Sequence, residues 1–507
     1  MTDYNLREMY KPGFDELYLR FFQLDRLIQE YLPPLHAHFK ELDMQPHMFA
    51  SQWFLTLFTA KFPLFMVYRI IDIVLTEKPA LEFLMKIQQI ICLVLCILLR
   101  SFQSTSRNIS SPIFPIEAIR WNLSSFVIGV ITGTCNVVAF TALCMIPKFV
   151  STNNEKFFYI SGGVGSGISM ALFGLANHSI NSFIFVTVSF VSSVLLGFFG
   201  SFIFAGAYSI TTNIFPTHKP EIVSAMQITQ TFCNAIAPPI GGLLSVNYGY
   251  SYAFLIPGMI YVIVTILCML FFFLVEKNSN FINNDDLQKK PGIILMARNQ
   301  HAFMLATPVF LTGIQMGLRN TAFSSYASNV FGYKSDEIAY IFSARIPSVV
   351  IFSFLHTFLI KKGYSPPMLC FSLLVFALQS LLFFIPEKYH NVGTKVYFSF
   401  VFITNGYACS LVNAPFFILI DWVCTSRKLS IKNKILYASW HTIVQLVGNV
   451  FGCIFFGGIF VDILGFPYTN LLCGLLSTLL FTFLLIFMLR NSYFSQFKKD
   501  NQKLIRT

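Results

Sequence analysis

Ala237-Pro238-Pro239-Ile240-Gly241-Gly242 leads to Gly249-Tyr250-Ser251-Tyr252, and the same punctuation returns as Gly457-Gly458, Gly465, Phe466 and Tyr468, every pair offset by 216 residues. Just upstream, Gln230 and Asn234 return as Gln445 and Asn449 at an offset of 215, so the echo carries a polar helical face and one register shift. Duplication of this kind inside apolar sequence predicts a membrane fold of two related bundles, with a gated pathway where they meet.

Composition sets the solvent. With 55% hydrophobic residues, 11% charged and 59 Phe among 507 residues, much of the chain must face lipid, which argues against a soluble enzyme. The net charge of +12 sits in short links between apolar runs, and no basic stripe interleaved with aromatics accompanies it, so nucleic acid is not an expected partner. The 11 cysteines lie in or beside apolar runs without a Cys-x-x-Cys pattern. They read as small core residues, and neither metal nor cofactor is expected. No cleavable signal is apparent after Met1, so targeting falls to the internal spans.

Eleven apolar runs are long enough to span: 122–146, 157–176, 182–210, 221–245, 252–275, 302–325, 336–360, 366–385, 396–420, 434–458 and 466–490. If alternate links face the cytosol, that side collects thirteen Lys and Arg, including Lys148, Lys219, Lys289 and Arg427, against four on the other, Arg120, Lys334, Lys388 and Lys395. This places the basic tail 491–507 in the cytosol. The sequons at Asn108, Asn122 and Asn177 fall on or near the opposite, lumenal side. The expectation is an all-α, multi-pass protein of a vesicular or plasma membrane, with lipid as its first partner. Its halves are 112–275 and 302–490, joined by a polar cytosolic linker at 276–301.

Ahead of the first run, residues 1–78 read as a soluble helical segment, with breaks at Pro33-Pro34, Pro46 and Pro63. The stretches Phe21-Phe22-Gln23-Leu24-Asp25-Arg26-Leu27 and His47-Met48-Phe49-Ala50-Ser51-Gln52-Trp53-Phe54 resemble the later part of a TBC-type Rab GTPase-activating domain. That resemblance implies contact with a Rab GTPase. It also implies catalytic fingers in Ile-x-x-Asp-x-x-Arg and Tyr-x-Gln patterns, which residues 1–106 do not contain. The segment therefore reads as a noncatalytic remnant, joined by gene fusion or by a misjoined gene, and GTPase activation is not expected. Between the parts, 79–111 forms a junction in which Ile90 to Leu99 is wholly apolar. Ten residues at about 1.5 Å each reach about half of a hydrocarbon core, so a crossing and a buried or interfacial helix stand level.

From Pro112-Ile113-Phe114-Pro115 to about residue 490 the chain is similar to the major facilitator superfamily, in its vesicular amine and polyamine branch of solute carrier family 18. The supports include Asn213-Ile214-Phe215-Pro216, Ala237 to Gly242, and Phe331-Gly332-Tyr333-Lys334. The resemblance implies that the usual first helix is missing or replaced. It also implies alternating-access transport of a small organic solute, as an antiporter. Pro238, Pro239, Gly241 and Gly242 match an antiporter motif, with Ala237 where Gly is usual, and Gly457 and Gly458 are their repeat partners. Proline bends such a helix and glycine admits a close neighbour, so the element can serve as a hinge or simply as tight packing. The superfamily's Gly and Asp latch residues are absent from the loop 146–156.

Polar groups that lipid tolerates poorly mark the candidate pathway. Arg319, Asn320 and Arg345 lie in predicted spans, and the arginines either face a cavity or snorkel and pair at a helix end. The branch's acidic element is replaced by Arg319-Asn320-Thr321-Ala322, which speaks against amine cargo and leaves an anion or zwitterion, or a fusion with impaired transport, as the readings. Gln227, Gln230 and Asn234 on one helix, and His441, Gln445 and Asn449 on its repeat partner, line single faces. Protons are a candidate coupling ion, although His441, one turn into its span, suits a capped or solvated histidine better than a proton carrier, and no intramembrane carboxylate stands out.

Overall fold

A computed structural model of the protein describes residues 14–55, 63–146, 154–214, 219–276, 296–384, 393–426, 434–494 and 497. Every regular element among them is helical. The chain forms two compact units, Met1–Ile90 and Ile91–Thr507. In the first, α1 (Asp15–Tyr31), α2 (Pro33–Glu41) and α3 (Pro46–Leu55) enclose a small core of Leu17, Phe21 and Ala50, against which Phe49, Trp53 and Phe54 pack.

The second unit is a helical bundle. Its first half holds the end of α4 (Leu64–Ile109), the short α5 (Phe114–Arg120), then α6 (Ser125–Met145), α7 (Glu155–Leu175), α8 (Ser182–Ile214), α9 (Lys219–Tyr248) and α10 (Tyr250–Glu276). The second half holds α11 (Gln300–Leu318), continued by a π-helical turn Arg319–Phe323 into α12 (Ser324–Phe331). It goes on with α13 (Ser335–Ser343), α14 (Arg345–Lys361), α15 (Ser365–Leu382), α16 (Gly393–Ser426) and α17 (Lys434–Phe451). A π-helical stretch Gly452–Phe460 then leads into α18 (Val461–Leu464) and α19 (Phe466–Arg490).

Ten of the described helices are long and apolar enough to cross a membrane. They include Ile90–Arg120, the segment whose apolar part alone looked marginal, whereas 221–245 and 336–360 are not among the ten. The latter is interrupted at Ala344, between α13 and α14. The end of α4 is tied into the first half by Tyr159 Oη, which donates to the Leu95 carbonyl at 3.0 Å, and by Tyr261 Oη, which donates to the Leu99 carbonyl at 3.3 Å.

The repeated glycines explain the duplicated sequence. Gly249 (φ +89°) separates α9 from α10, and Gly465 (φ +82°) separates α18 from α19, each in the left-handed region where a Cβ is strained. Within the halves, close packing also rests on missing side chains. A Cβ at Gly313 would meet the Gln445 carbonyl oxygen at 2.4 Å, and one at Gly448 the Phe310 carbonyl oxygen at 2.2 Å, so α11 and α17 lie backbone to backbone. Apolar cores flank this seam, one around Leu305, Phe376 and Phe416 and one around Phe323, Phe398 and Phe402.

Most of the linker (277–295), the loop at 147–153 and the tail beyond 494, Phe497 apart, lie outside the described residues. Residues 147–153 of the expected latch loop and the cytosolic charges Lys148, Lys277, Lys289 and Lys290 lie there. One sequon is corrected: Asn108 is only 5% exposed, and its amide is bonded inside the bundle, so it presents no lumenal acceptor.

Candidate functional site

A cavity of about 120 Å³ opens between the two halves, room for several waters or one small solute. One wall comes from α4, α6, α7, α8, α9 and α10, the other from α11 with its π turn and from α17 with the start of the π-helical stretch that follows it. The first wall places Arg100, Gln103, Arg107 and Asn108 on the cavity, together with Gln230 and Asn234. The second contributes Asn320, Gln445 and Asn449. The repeat-related polar faces thus meet at one space from opposite sides.

Hydrogen bonds fix the first wall. Arg100 Nη2 donates to Gln230 Oε1 at 2.8 Å, its Nη1 donates to Gln103 Oε1, and its guanidinium stands 4.7 Å from the centre of the Phe204 ring. Asn108 Nδ2 donates to Asn234 Oδ1 at 2.8 Å and to the Ser104 carbonyl at 2.9 Å. These bonds join α4 to α9 at two levels. A charged side chain at mid-membrane costs about 2.5–3.5 kcal/mol on insertion scales, which a polar cavity offsets.

The structure separates the other predicted residues from this group. Arg319 is 3% exposed and lies within the second half, with Nη1 3.5 Å from Gln315 Oε1, and it does not line the cavity. Arg345 heads α14 with a buried Nε that finds no hydrogen-bond partner among the described residues. His441 shares a helix with Gln445 and Asn449, but its Nε2 is 3.1 Å from Asn413 Oδ1 and its ring lies against Phe416 and Phe417. Gln227 lies on α9, and its side chain is outside the described residues. Among the described residues no group of His, Cys, Asp and Glu is placed to hold a metal.

The paired glycines sit where helices touch. A Cβ at Gly241 would stand 2.7 Å from the Ile109 carbonyl oxygen on α4, and one at Gly242 would stand 2.2 Å from Ala339 Cβ on α13. In the repeat, a Cβ at Gly457 would meet Thr321 Cβ at 2.9 Å, and one at Gly458 would meet Phe126 Cα on α6 at 3.1 Å. The first glycine of each pair therefore abuts the first helix of its own half, and the second abuts a helix of the other half. Pro238 and Pro239 lie inside α9, and Pro238 is buried. Nearby, Asp462 caps α6 across the halves, its carboxylate accepting from Ser125 N at 3.1 Å and Phe126 N at 2.9 Å.

The cavity residues of α4 were not among the candidates. A signal was present: Arg100, Ser104 and Asn108 recur every four residues, with Gln103 and Arg107 beside them, directly after the apolar run. Such a face fits a helix that turns polar toward a cavity.

Known proteins match the chain in two parts. A sequence model of the Rab-GTPase-TBC domain matches residues 1–105, and one of the Major Facilitator Superfamily matches residues 96–423. Rab GTPase-activating protein tbc-11 of Caenorhabditis elegans is 54% identical over 77 residues, 15% of this chain and 8% of that protein. Ecotropic viral integration site 5 protein of Mus musculus is 46% identical over 83 residues, 16% of this chain and 10% of that protein. The chain spans about a tenth of the length of these curated relatives. Among solved structures, a bacterial homolog to the human lysosomal transporter Spinster, inward-facing and unoccupied, superposes with a TM-score of 0.56 at 13% identity, over 82% of this chain and 98% of that one. The nucleoside transporter NupG gives 0.57 at 12% identity, over 79% and 98%.

Proposed function

Because the chain belongs to the Major Facilitator Superfamily, we propose that it carries a small organic solute across a membrane by alternating access, the two halves rocking about the cavity between them. The observation behind this reading is the cavity itself, whose opposite walls carry the repeat-related pairs Gln230/Gln445 and Asn234/Asn449. The solute site comprises these residues with Asn320, while Arg319, Arg345 and His441 act from within the second half. Exchange, with protons or a second solute as counter-substrate, is the mode that the motif at Pro238–Gly242 favours. The excess of Lys and Arg in alternate links supports a cytosolic C-terminus in a vesicular or plasma membrane.

The test is uptake into liposomes holding the full chain, with and without a pH gradient and with unlabelled solute preloaded. Preloaded solute should accelerate entry, and Asn449→Leu should abolish it. Equal uptake by protein-free liposomes across a broad panel of solutes would sink the reading. A second reading rests on the 54% identity to a Rab GTPase-activating protein: residues 1–78 dock a Rab GTPase and tether it to the transporter's membrane. Pull-down of Rab proteins by the full chain, with GTP hydrolysis unchanged, is its expected signature.

A further inference from the structure

Within the proposed transport cavity, charge is one-sided. Arg100 and Arg107 line it from α4, two turns apart, and the described residues that line it include no Asp or Glu. Arg100 is engaged by Gln103, Gln230 and Phe204. Among the described residues the Arg107 side chain forms no hydrogen bond or ion pair, and the Nε atoms of both arginines are buried without a hydrogen-bond partner. Gly200 on α8 leaves these groups their room, for a Cβ there would stand 2.8 Å from Gln103 Nε2 and 3.2 Å from Arg107 Nη2. Uncompensated guanidinium pairs in a low-dielectric space call for a mobile negative charge, and the planar fork of an arginine matches the oxygens of a carboxylate or phosphate.

We infer that this cavity binds a small organic anion, with Arg107 as its principal ligand and Arg100 as a fixed second charge. The inference rests on reading the cavity as the solute site. The amide groups of Asn136 and Gln445 supply neutral donors to the rest of the molecule. A polyamine or monoamine meets two like charges and no counter-charge, so cationic cargo is repelled.

The test titrates the full chain in nanodiscs with citrate, glucose 6-phosphate, spermidine and glucose while following thermal unfolding. At least one of the two anions should raise the unfolding temperature. Arg107→Gln should weaken that response about tenfold or more, with Arg107→Lys intermediate. Asn136→Asp, which adds a carboxylate to the cavity without touching either arginine, should weaken it as well and covers the case of an unfolded Arg107 variant. Stabilisation by spermidine alone, by neither anion, or by an anion equally in wild type, Arg107→Gln and Asn136→Asp overturns the inference. Liposome uptake separates the two claims. Entry of spermidine or glucose without anion binding would leave transport standing and remove the anion site. Anion binding without passage of any solute would keep the site and remove transport.

Discussion

At Asn108 a single amide decides how α4 is read. Its Nδ2 joins α4 to α9 through Asn234, and it is buried, so the sequon it heads has no access to a glycosylating enzyme. Peptide mapping of protein from a glycosylating host should recover Asn108 unmodified; a glycan there would mean that α4 lies outside the bundle. Asn108→Leu leaves the Asn234 carbonyl without its partner and should cost about 1–3 kcal/mol of stability, read as a lower unfolding temperature. Adding Asn234→Leu should cost less than the sum of the single changes, because the second substitution removes an acceptor already stranded. The polar faces of α9 and α17 were legible in the sequence because their amides recur every four residues amid apolar neighbours. The arginines of α4 were not, since only ten apolar residues precede Arg100, and the length argument weighs hydrophobic surface alone. A helix whose later turns face a cavity needs no lipid-matching side chains there, so its polar end reads as a linker.

The helices themselves were largely foreseen, and their contacts explain where foresight stopped. Continuous apolar runs marked most of them, because lipid leaves the backbone no other partner than itself. Ile90–Arg120 was left level between a crossing and a buried helix for the reason just given, and the break at Ala344 lies three residues before Pro347, a breaker that the reading of 336–360 as one run passed over. The 216-residue echo did predict paired packing elements. What it could not give is the partner of each glycine, which depends on helix rotation. With those partners known, the two pairs become unequal tests. Gly242→Ala would set a methyl group 2.2 Å from Ala339 Cβ, whereas Gly458→Ala meets Phe126 Cα at 3.1 Å. Gly242→Ala should therefore cost about 1–3 kcal/mol in overpacking, and Gly458→Ala less. Thermal unfolding of the two variants side by side checks the order, and a reversed order would contradict these helix rotations.

For the molecule as a whole, what matters is how firmly the halves hold one another at one end. Around Asp462 the contacts cross the halves repeatedly: its carboxylate caps α6, Thr132 Oγ1 lies 3.1 Å from Thr321 Oγ1, and Ser324 Oγ donates to the Ser111 carbonyl at 2.7 Å. In an alternating-access cycle these bonds must break together, so each contributes to the bias between the two states, and Asp462, unlike the cavity-lining Thr132 and Ser111, does so away from the solute site. Asp462 is the most separable, being exposed, charged and aimed at two backbone N–H groups of a helix N-terminus. Asp462→Asn keeps the shape and removes the charge, and should weaken the closed arrangement by about 1 kcal/mol, roughly a fivefold shift in population. Spin labels at Asn122 and Leu464, on opposite halves at this end, would report it as growth of a longer-distance population. Asp462→Ala should extend the shift in the same direction. Distance distributions unchanged by both substitutions would mean that the cap contributes nothing to the balance, and that the buried contacts at Thr132, Ser324 and Gly242 hold the halves closed unaided.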